Sequence, residues 1–215
     1  FVQAGVDDVA SHIKPADGAA PDLVLVNFPE DVGLVAAMTG SKGAAARSAP
    51  SSTGVFLFLL QQYASQIQYY RTQFAGLAQI RALLLALTDI NYRVAYETYR
   101  DIAMTYGVYV SAGVNVAAAR RVESVDDPVL VNRLRDPDEP ARTYAYVAVQ
   151  PTVYNTTMIF RPDGEVLVSD GMGGVVPAPS GTGGVYRGSL NKAYLTPIEI
   201  GLLTLSFSPV RDLDV

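Results

Sequence analysis

A chain of 215 residues, 49% apolar and 17% charged, has the material for one well-buried domain and is not a disordered polypeptide. A net charge of -5, with no basic block beyond Arg120-Arg121, excludes nucleic-acid binding through clustered Lys and Arg. Zero cysteines exclude disulfides and thiolate zinc sites, and the single His12 cannot build an imidazole metal centre, so no metal or cofactor is expected.

The first residue is Phe1, and no secretion pattern follows it, so a cytoplasmic location is expected. Phe1-Val2-Gln3 reads as the tail of a strand and the terminal RDLDV as the start of one, which suggests that both ends are cut from something longer. After a stretch without strong period, Leu23–Phe28 is a nearly all-apolar strand, suited to burial on both faces. Gly40 to Gly54 is rich in Gly, Ser and Ala and reads as a flexible loop.

The most periodic segment follows. Phe56, Leu60, Tyr63, Ile67, Tyr70, Phe74 and Leu77 alternate spacings of four and three, the seam of a long helix running from 55 to about 88. Packing on its own domain is the first reading of that seam, and pairing with a second subunit or lying on a membrane surface are the alternatives. The Gln61-Gln62 pair breaks the run too early for a spanning helix, which needs about 20 apolar residues. Tyr92 to Tyr106 predicts another amphipathic helix, with Val94, Tyr99, Ile102 and Ala103 on one side and Gly107 as its cap.

Val108-Tyr109-Val110 then predicts a strand. Residues 120–142, with three prolines and many charges, read as an exposed insertion whose Asp126-Asp127 and Asp136, Asp138 and Glu139 form a solvated surface. Strand Tyr144–Val149 follows, and Val153–Phe160 pairs with Glu165–Val168 across Pro162-Asp163-Gly164. Residues 171–188 read as a Gly-rich loop, and Gly171-Met172-Gly173-Gly174 lacks the Gly-Lys-Ser/Thr of a phosphate loop. Leu202–Phe207 is strand-like. The element order gives a mixed α/β sheet without repeats, one domain over 1–215 with helical (55–90) and exposed (120–142) insertions.

Chemistry gathers at three separated stretches: Phe28-Pro29-Glu30, Tyr154-Asn155-Thr156, and Asn191-Lys192-Ala193-Tyr194-Leu195-Thr196-Pro197-Ile198-Glu199. A carboxylate at the mouth of an apolar strand is partly dehydrated, which raises its pKa toward that of a useful base. A lysine brought beside it counters that shift and keeps both groups charged. A structural ion pair is the bland alternative for Glu30 and Lys192, and a capping role for Glu199.

Together with TYGVYVSAG at 105–113, this order resembles the N-terminal half of the carbon–nitrogen hydrolase (nitrilase) superfamily, with K-x-x-L-T-P-x-E after the YNT…PDG hairpin its most specific part. The resemblance implies a four-layer α-β-β-α sandwich, with Glu30 as general base, Lys192 stabilising the charge on the tetrahedral intermediate and Glu199 as a supporting carboxylate. It implies a cysteine nucleophile on a strand beyond Glu199, which this chain lacks, so the nucleophile is expected outside it and the chain alone is expected to be inactive. Ser206 and Ser208 come too early and have no histidine partner. The implied partners are a small amide or nitrile substrate, the remainder of the domain or a companion fragment, and further copies of the chain. A non-catalytic binding or regulatory module, and an N-acyltransferase relative, are the alternatives.

Overall fold

The structure, a computed structural model, describes residues 24–28, 36–169, 175–177, 186–187, 198–200 and 203–205. It is a mixed α/β arrangement. A six-stranded sheet runs in the order Leu25–Asn27 (β1), Tyr109–Glu123 (β2), Tyr144–Phe160 (β3), Val166–Ser169 (β4) and Val175–Pro177 (β5), with Tyr186–Arg187 (β6) also on β3, and Ile198–Ile200 (β7) and Leu203–Leu205 (β8) form a separate pair.

Its spine is a long antiparallel ribbon of β2 (Tyr109–Glu123) and β3 (Tyr144–Phe160). The short β1 (Leu25–Asn27) runs parallel to the start of β2, with Asn27 opposite Ser111. β4 (Val166–Ser169) returns on β3 through the Pro162-Asp163-Gly164 turn. There Gly164 sits at φ 83, and the Asp163 carboxylate accepts from the Glu165 N–H at 3.1 Å, as the sequence predicts for this hairpin. β5 (Val175–Pro177) pairs with β4, and β6 (Tyr186–Arg187) pairs with β3 at Thr156 and Thr157.

The two strands expected at Tyr144–Val149 and Val153–Phe160 are one. Pro151 is accommodated because the register shifts between Ala117 and Ala119, and a bulge frees the proline from a ladder bond it cannot make. Two buried tyrosines serve the backbone there. Tyr92 Oη donates to the Ala117 carbonyl at 3.1 Å, and Tyr70 Oη accepts from the Ala148 N–H at 3.0 Å. Buried backbone groups must find partners, and here side chains supply what the irregular ladder does not.

The helical region differs from a single helix. It comprises α1 (Gly40–Arg47), α2 (Ser52–Gln62), α3 (Ala64–Gln73), α4 (Gln79–Ala86) and α5 (Thr88–Asn91). Tyr63, at φ -101 and ψ 16, ends α2 and opens α3, and Gly76 at φ 74 turns the chain before α4. Breaking the rod lets one apolar seam wrap the sheet. Tyr63, Ile67, Tyr70 and Leu77 are buried in the domain's own core, so Tyr63 and Tyr70 face inward and not toward a second subunit.

The expected loop at Gly40–Gly54 is in fact helix α1 and the start of α2, whose cap Ser51 accepts from the Gly54 N–H. Gly43 is required by close approach: a Cβ there would lie 2.1 Å from the Met38 carbonyl carbon.

After α5 a π-helical turn, Tyr92–Glu97, leads into α6 (Thr98–Tyr106), which Gly107 ends at φ 65 as expected. The π turn separates residues expected on one face. Val94 packs on the core under α3 and α4, whereas Tyr99, Ile102 and Ala103 join a second cluster with Val110, Met158 and Phe160.

The segment 120–142 is not simply exposed. Arg120–Glu123 completes β2, and α7 (Pro128–Leu134) starts at Asp127, which accepts from the Leu130 N–H at 2.9 Å. α7 buries Leu130, Val131 and Leu134, each worth roughly 2 kcal/mol of transfer free energy. Among the described residues no helix is long and apolar enough to cross a membrane.

The readings at Phe1–Gln3, 171–174 and 211–215 fall outside the described residues; of Leu202–Phe207, β8 (Leu203–Leu205) is described, paired with β7 (Ile198–Ile200).

Candidate functional site

Glu30 and Lys192 lie outside the described residues, and Glu199 is described as backbone only, in β7 opposite Thr204. The sheet constrains the strands that lead to the first two. The Phe28 N–H donates to the Ser111 carbonyl at 2.8 Å, extending the parallel ladder one step beyond Asn27. β2 and β1 are parallel, β3 opposes β2, and β6 opposes β3, so β6 runs in the direction of β1.

Their heights on the sheet match as well. Asn27 shares a row with Ser111 and Ile159. Tyr186 shares the row of Thr157 and Gly113, two positions farther along, and Arg187 that of Thr156 and Val114. The carboxyl ends of β1 and β6 therefore point to the same end of the sheet. Three strand spacings separate them, about 14 Å. Glu30 follows Asn27 by three residues and Lys192 follows Arg187 by five, and such extended chain spans roughly 10 Å and 17 Å. Only the two spans taken together exceed the gap with room to spare.

The wall beside β1 is aromatic. Phe28 packs on Tyr99 with centroids 4.9 Å apart, and Tyr99 in turn approaches Phe160 at 6.5 Å. Tyr99 Oη is buried without a hydrogen-bond partner among the described residues, and burial pushes its pKa up to about 12. The backbone of Tyr154-Asn155-Thr156 lies in β3 opposite Val116, Asn115 and Val114, between β2 and β6.

A second polar constellation escapes sequence reasoning. Arg142 Nη2 donates to both oxygens of Asp89 at 2.6 Å, with side chains 8% and 4% exposed. Asp89 also accepts from the Tyr146 N–H at 2.8 Å. Burial pushes the Asp89 carboxyl up from its ordinary range, and Arg142 and the Tyr146 N–H oppose that shift. Next to it Arg93 bridges Asp136 at 2.5 Å and Glu139 at 2.8 Å. Tyr144 and Tyr146 both donate to Glu97, at 2.6 and 3.0 Å, and Arg121 stacks 3.6 Å from the Tyr144 ring.

The acids expected as solvated surface are thus mostly structural. Asp127 caps α7, Asp136 is a buried ion-pair partner, and Asp138 accepts from the Ser41 N–H at 2.5 Å. Asp126 and Asp138 are exposed, as expected. This network fastens the 135–144 segment onto the helices. Among the described residues no group of three or more His, Cys, Asp or Glu is disposed to hold a metal ion.

Fold and candidate site together define a mixed α/β protein with two co-directional strand ends and a buried ionic clamp. Comparison with protein-family models, curated proteins and solved structures finds no match to this chain.

Proposed function

We propose that the chain is the N-terminal part of a hydrolase acting on non-peptide carbon–nitrogen bonds, amide or nitrile, within a nitrilase-like α-β-β-α sandwich. One observation carries the reading: β1 and β6 run the same way and end at neighbouring heights, so the segments bearing Glu30 and Lys192 set out toward one end of the sheet. Glu30 acts as general base, Lys192 stabilises the charge that develops on the tetrahedral intermediate, and Glu199 supports them. The chain contains no cysteine, so the attacking thiolate comes from polypeptide outside this sequence.

The missing cysteines make the central claim directly testable. In the variant Glu30→Cys/Lys192→Cys the introduced pair are the only thiols. A shared cleft yields an intramolecular cross-link with a short bis-maleimide, read by intact mass after digestion, and neither single variant yields one. Absence of the link in folded protein overturns the reading. In a polypeptide that supplies the thiol, Glu30→Gln lowers amide turnover by about 100-fold or more. Turnover of a simple amide by this chain alone, abolished by Ser208→Ala, would overturn the assignment of the nucleophile.

A further inference from the structure

All 21 acids of the chain lie outside residues 32–88, a stretch that contains Lys42, Arg47, Arg71 and Arg81. Helices α1 to α4 fall within it. In a chain of net charge -5, so long a run without a carboxylate makes one part of the molecule positive against an acidic remainder. Such asymmetry points to an anionic partner for that part.

Not all four bases are free to meet one. Lys42 has Asp136 and Asp138 as charged neighbours, and the Arg47 guanidinium folds back on the Met38 and Gly40 carbonyls. Arg71 and Arg81 are exposed, and among the described residues neither has an ion-pair partner. The fold brings these two together. Arg71 lies in the last turn of α3 and Arg81 in the first turn of α4, and the turn at Gly76 joins those helix ends. Ile80, 60% exposed, sits beside Arg81 at the same corner. Two arginines are too few for nucleic acid, whose binding rests on clustered bases.

Apolar surface continues from this corner along α2. Val55–Leu60 are six consecutive apolar residues, yet only Leu59 is buried, and Leu57 and Phe58 are 59% and 37% exposed. A helix apolar on every side is ordinarily enclosed. Helical hydrogen bonds bracket the break at Tyr63, from its N–H to Leu59 and from the Ile67 N–H to Tyr63, so α2 and α3 both keep the seam on the core. The residues between seam positions stay outside: Leu57 and Phe58, then the uncharged Gln61, Ser65 and Gln68, then Arg71. This outer face is apolar at one end and basic at the other, and it is opposite to the seam.

We propose that the outer face of α2, α3 and the start of α4 docks on an anionic lipid bilayer, with Leu57, Phe58 and Ile80 entering the interface and Arg71 and Arg81 on lipid phosphates. The acid-free surface selects a negative partner. The exposed apolar side chains select a bilayer over a soluble polyanion, which offers nothing to cover them. The docking is reversible and independent of the hydrolase reading.

Flotation of the full chain tests this with vesicles of phosphatidylcholine alone and of equal parts phosphatidylcholine and phosphatidylglycerol. At low ionic strength the chain floats with the mixed vesicles and not with phosphatidylcholine, and added salt releases it. Arg71→Gln/Arg81→Gln weakens binding by about 25-fold, roughly fivefold for each arginine at an anionic surface. Leu57→Ser/Phe58→Ser weakens it severalfold. Arg161→Gln, on the β3–β4 hairpin, leaves it unchanged. Circular dichroism of each variant matches that of the parent, because the altered side chains are exposed or half-exposed. Failure to float with the mixed vesicles overturns the proposal, as does binding that either double variant leaves unchanged. Equal flotation with the two vesicle types refutes the part given to the arginines. Polyglutamate that displaces the chain from vesicles, and binds the Leu57→Ser/Phe58→Ser variant as tightly as the parent, would assign the face to an acidic protein instead.

Discussion

The buried pair Asp89–Arg142 offers the sharpest measurement of how this fold is held. Asp89→Asn keeps an amide oxygen that can accept from the Tyr146 N–H, so the substitution removes the charge and little else. Arg142, 8% exposed, then loses the carboxylate whose two oxygens its Nη2 contacts. Its remaining acidic neighbour, Glu139, is 3.6 Å away and 39% exposed, too far and too hydrated to replace Asp89. Breaking one partner of such a pair costs about 3–5 kcal/mol, against a total stability of about 5–15 kcal/mol for a folded domain. With a urea slope of about 2–3 kcal/mol per M, the unfolding midpoint falls by roughly 1–2 M. Arg142→Met has a similar cost, since it strands the buried carboxylate. The double variant loses less than the sum of the two by about 1.5–3 kcal/mol, because the second substitution removes a charge already stranded by the first. Urea unfolding followed by circular dichroism reads all four proteins. A single-variant loss below about 1 kcal/mol, or strict additivity, would show that the pair is hydrated and that the 135–144 segment is held by something else.

The tyrosines supply two more expected outcomes. Tyr70→Phe keeps the ring but leaves the Ala148 N–H without its acceptor beside the bulge, so the chain loses about 1–3 kcal/mol in the same urea experiment, and a neutral result would mean that water serves that group. Burial raises the Tyr99 and Tyr144 hydroxyls from 10.0 to about 12, Tyr144 also through its bond to Glu97, and it raises Tyr63, Tyr70 and Tyr146 further. Because the folded value lies above the unfolded one, the stabilisation is fully present below pH 10 and is lost as pH rises through about 12. Ultraviolet titration of phenolate should show these groups ionising only with unfolding, and their release near pH 10 in folded protein would refute the assigned burial.

Local chemistry was readable wherever one residue decides the backbone. Gly107 and Gly164 occupy left-handed conformations that other residues adopt at a cost, and each marks its boundary from the sequence alone. The 3.5-residue seam was readable as an inward face but not as three helices: Gly76 marks the second break, whereas Tyr63 carries no breaker signal at the first. α1 was hidden for the opposite reason: Gly40–Arg47 has no apolar stripe, and the acceptor for the Ser41 N–H in its first turn is Asp138, far along the chain. α7 did announce itself, through Asp127 as cap and Pro128 at the first helical position, a pairing masked by the charge around it. The ionic clamp could not be read, because Asp89 meets Arg142 across 53 residues and Arg93 meets Asp136 across 43. No spacing rule reaches that far.

The same ribbon serves both ends of the molecule, and its division explains why the clamp matters to the strand ends. Beyond the bulge at Ala117–Ala119, β2 and β3 are locked by tyrosine hydroxyls, by Asp89 on the Tyr146 N–H and by Glu97 on Tyr144 and Tyr146. Before the bulge, the same two strands hold β1 on one edge and β6 on the other. The relation between β1 and β6 is therefore only as fixed as the β2–β3 register between them. A one-residue slip in that register would move β6 a full step relative to β1 and turn alternate side chains to the other face. The buried bonds beyond the bulge oppose such a slip, since each needs its partner at one height. Groups that act together need geometry held to fractions of an ångström by a rigid support. For the proposed pairing of Glu30 with Lys192 that support would be the far half of the ribbon, built from residues that carry no catalytic signature of their own.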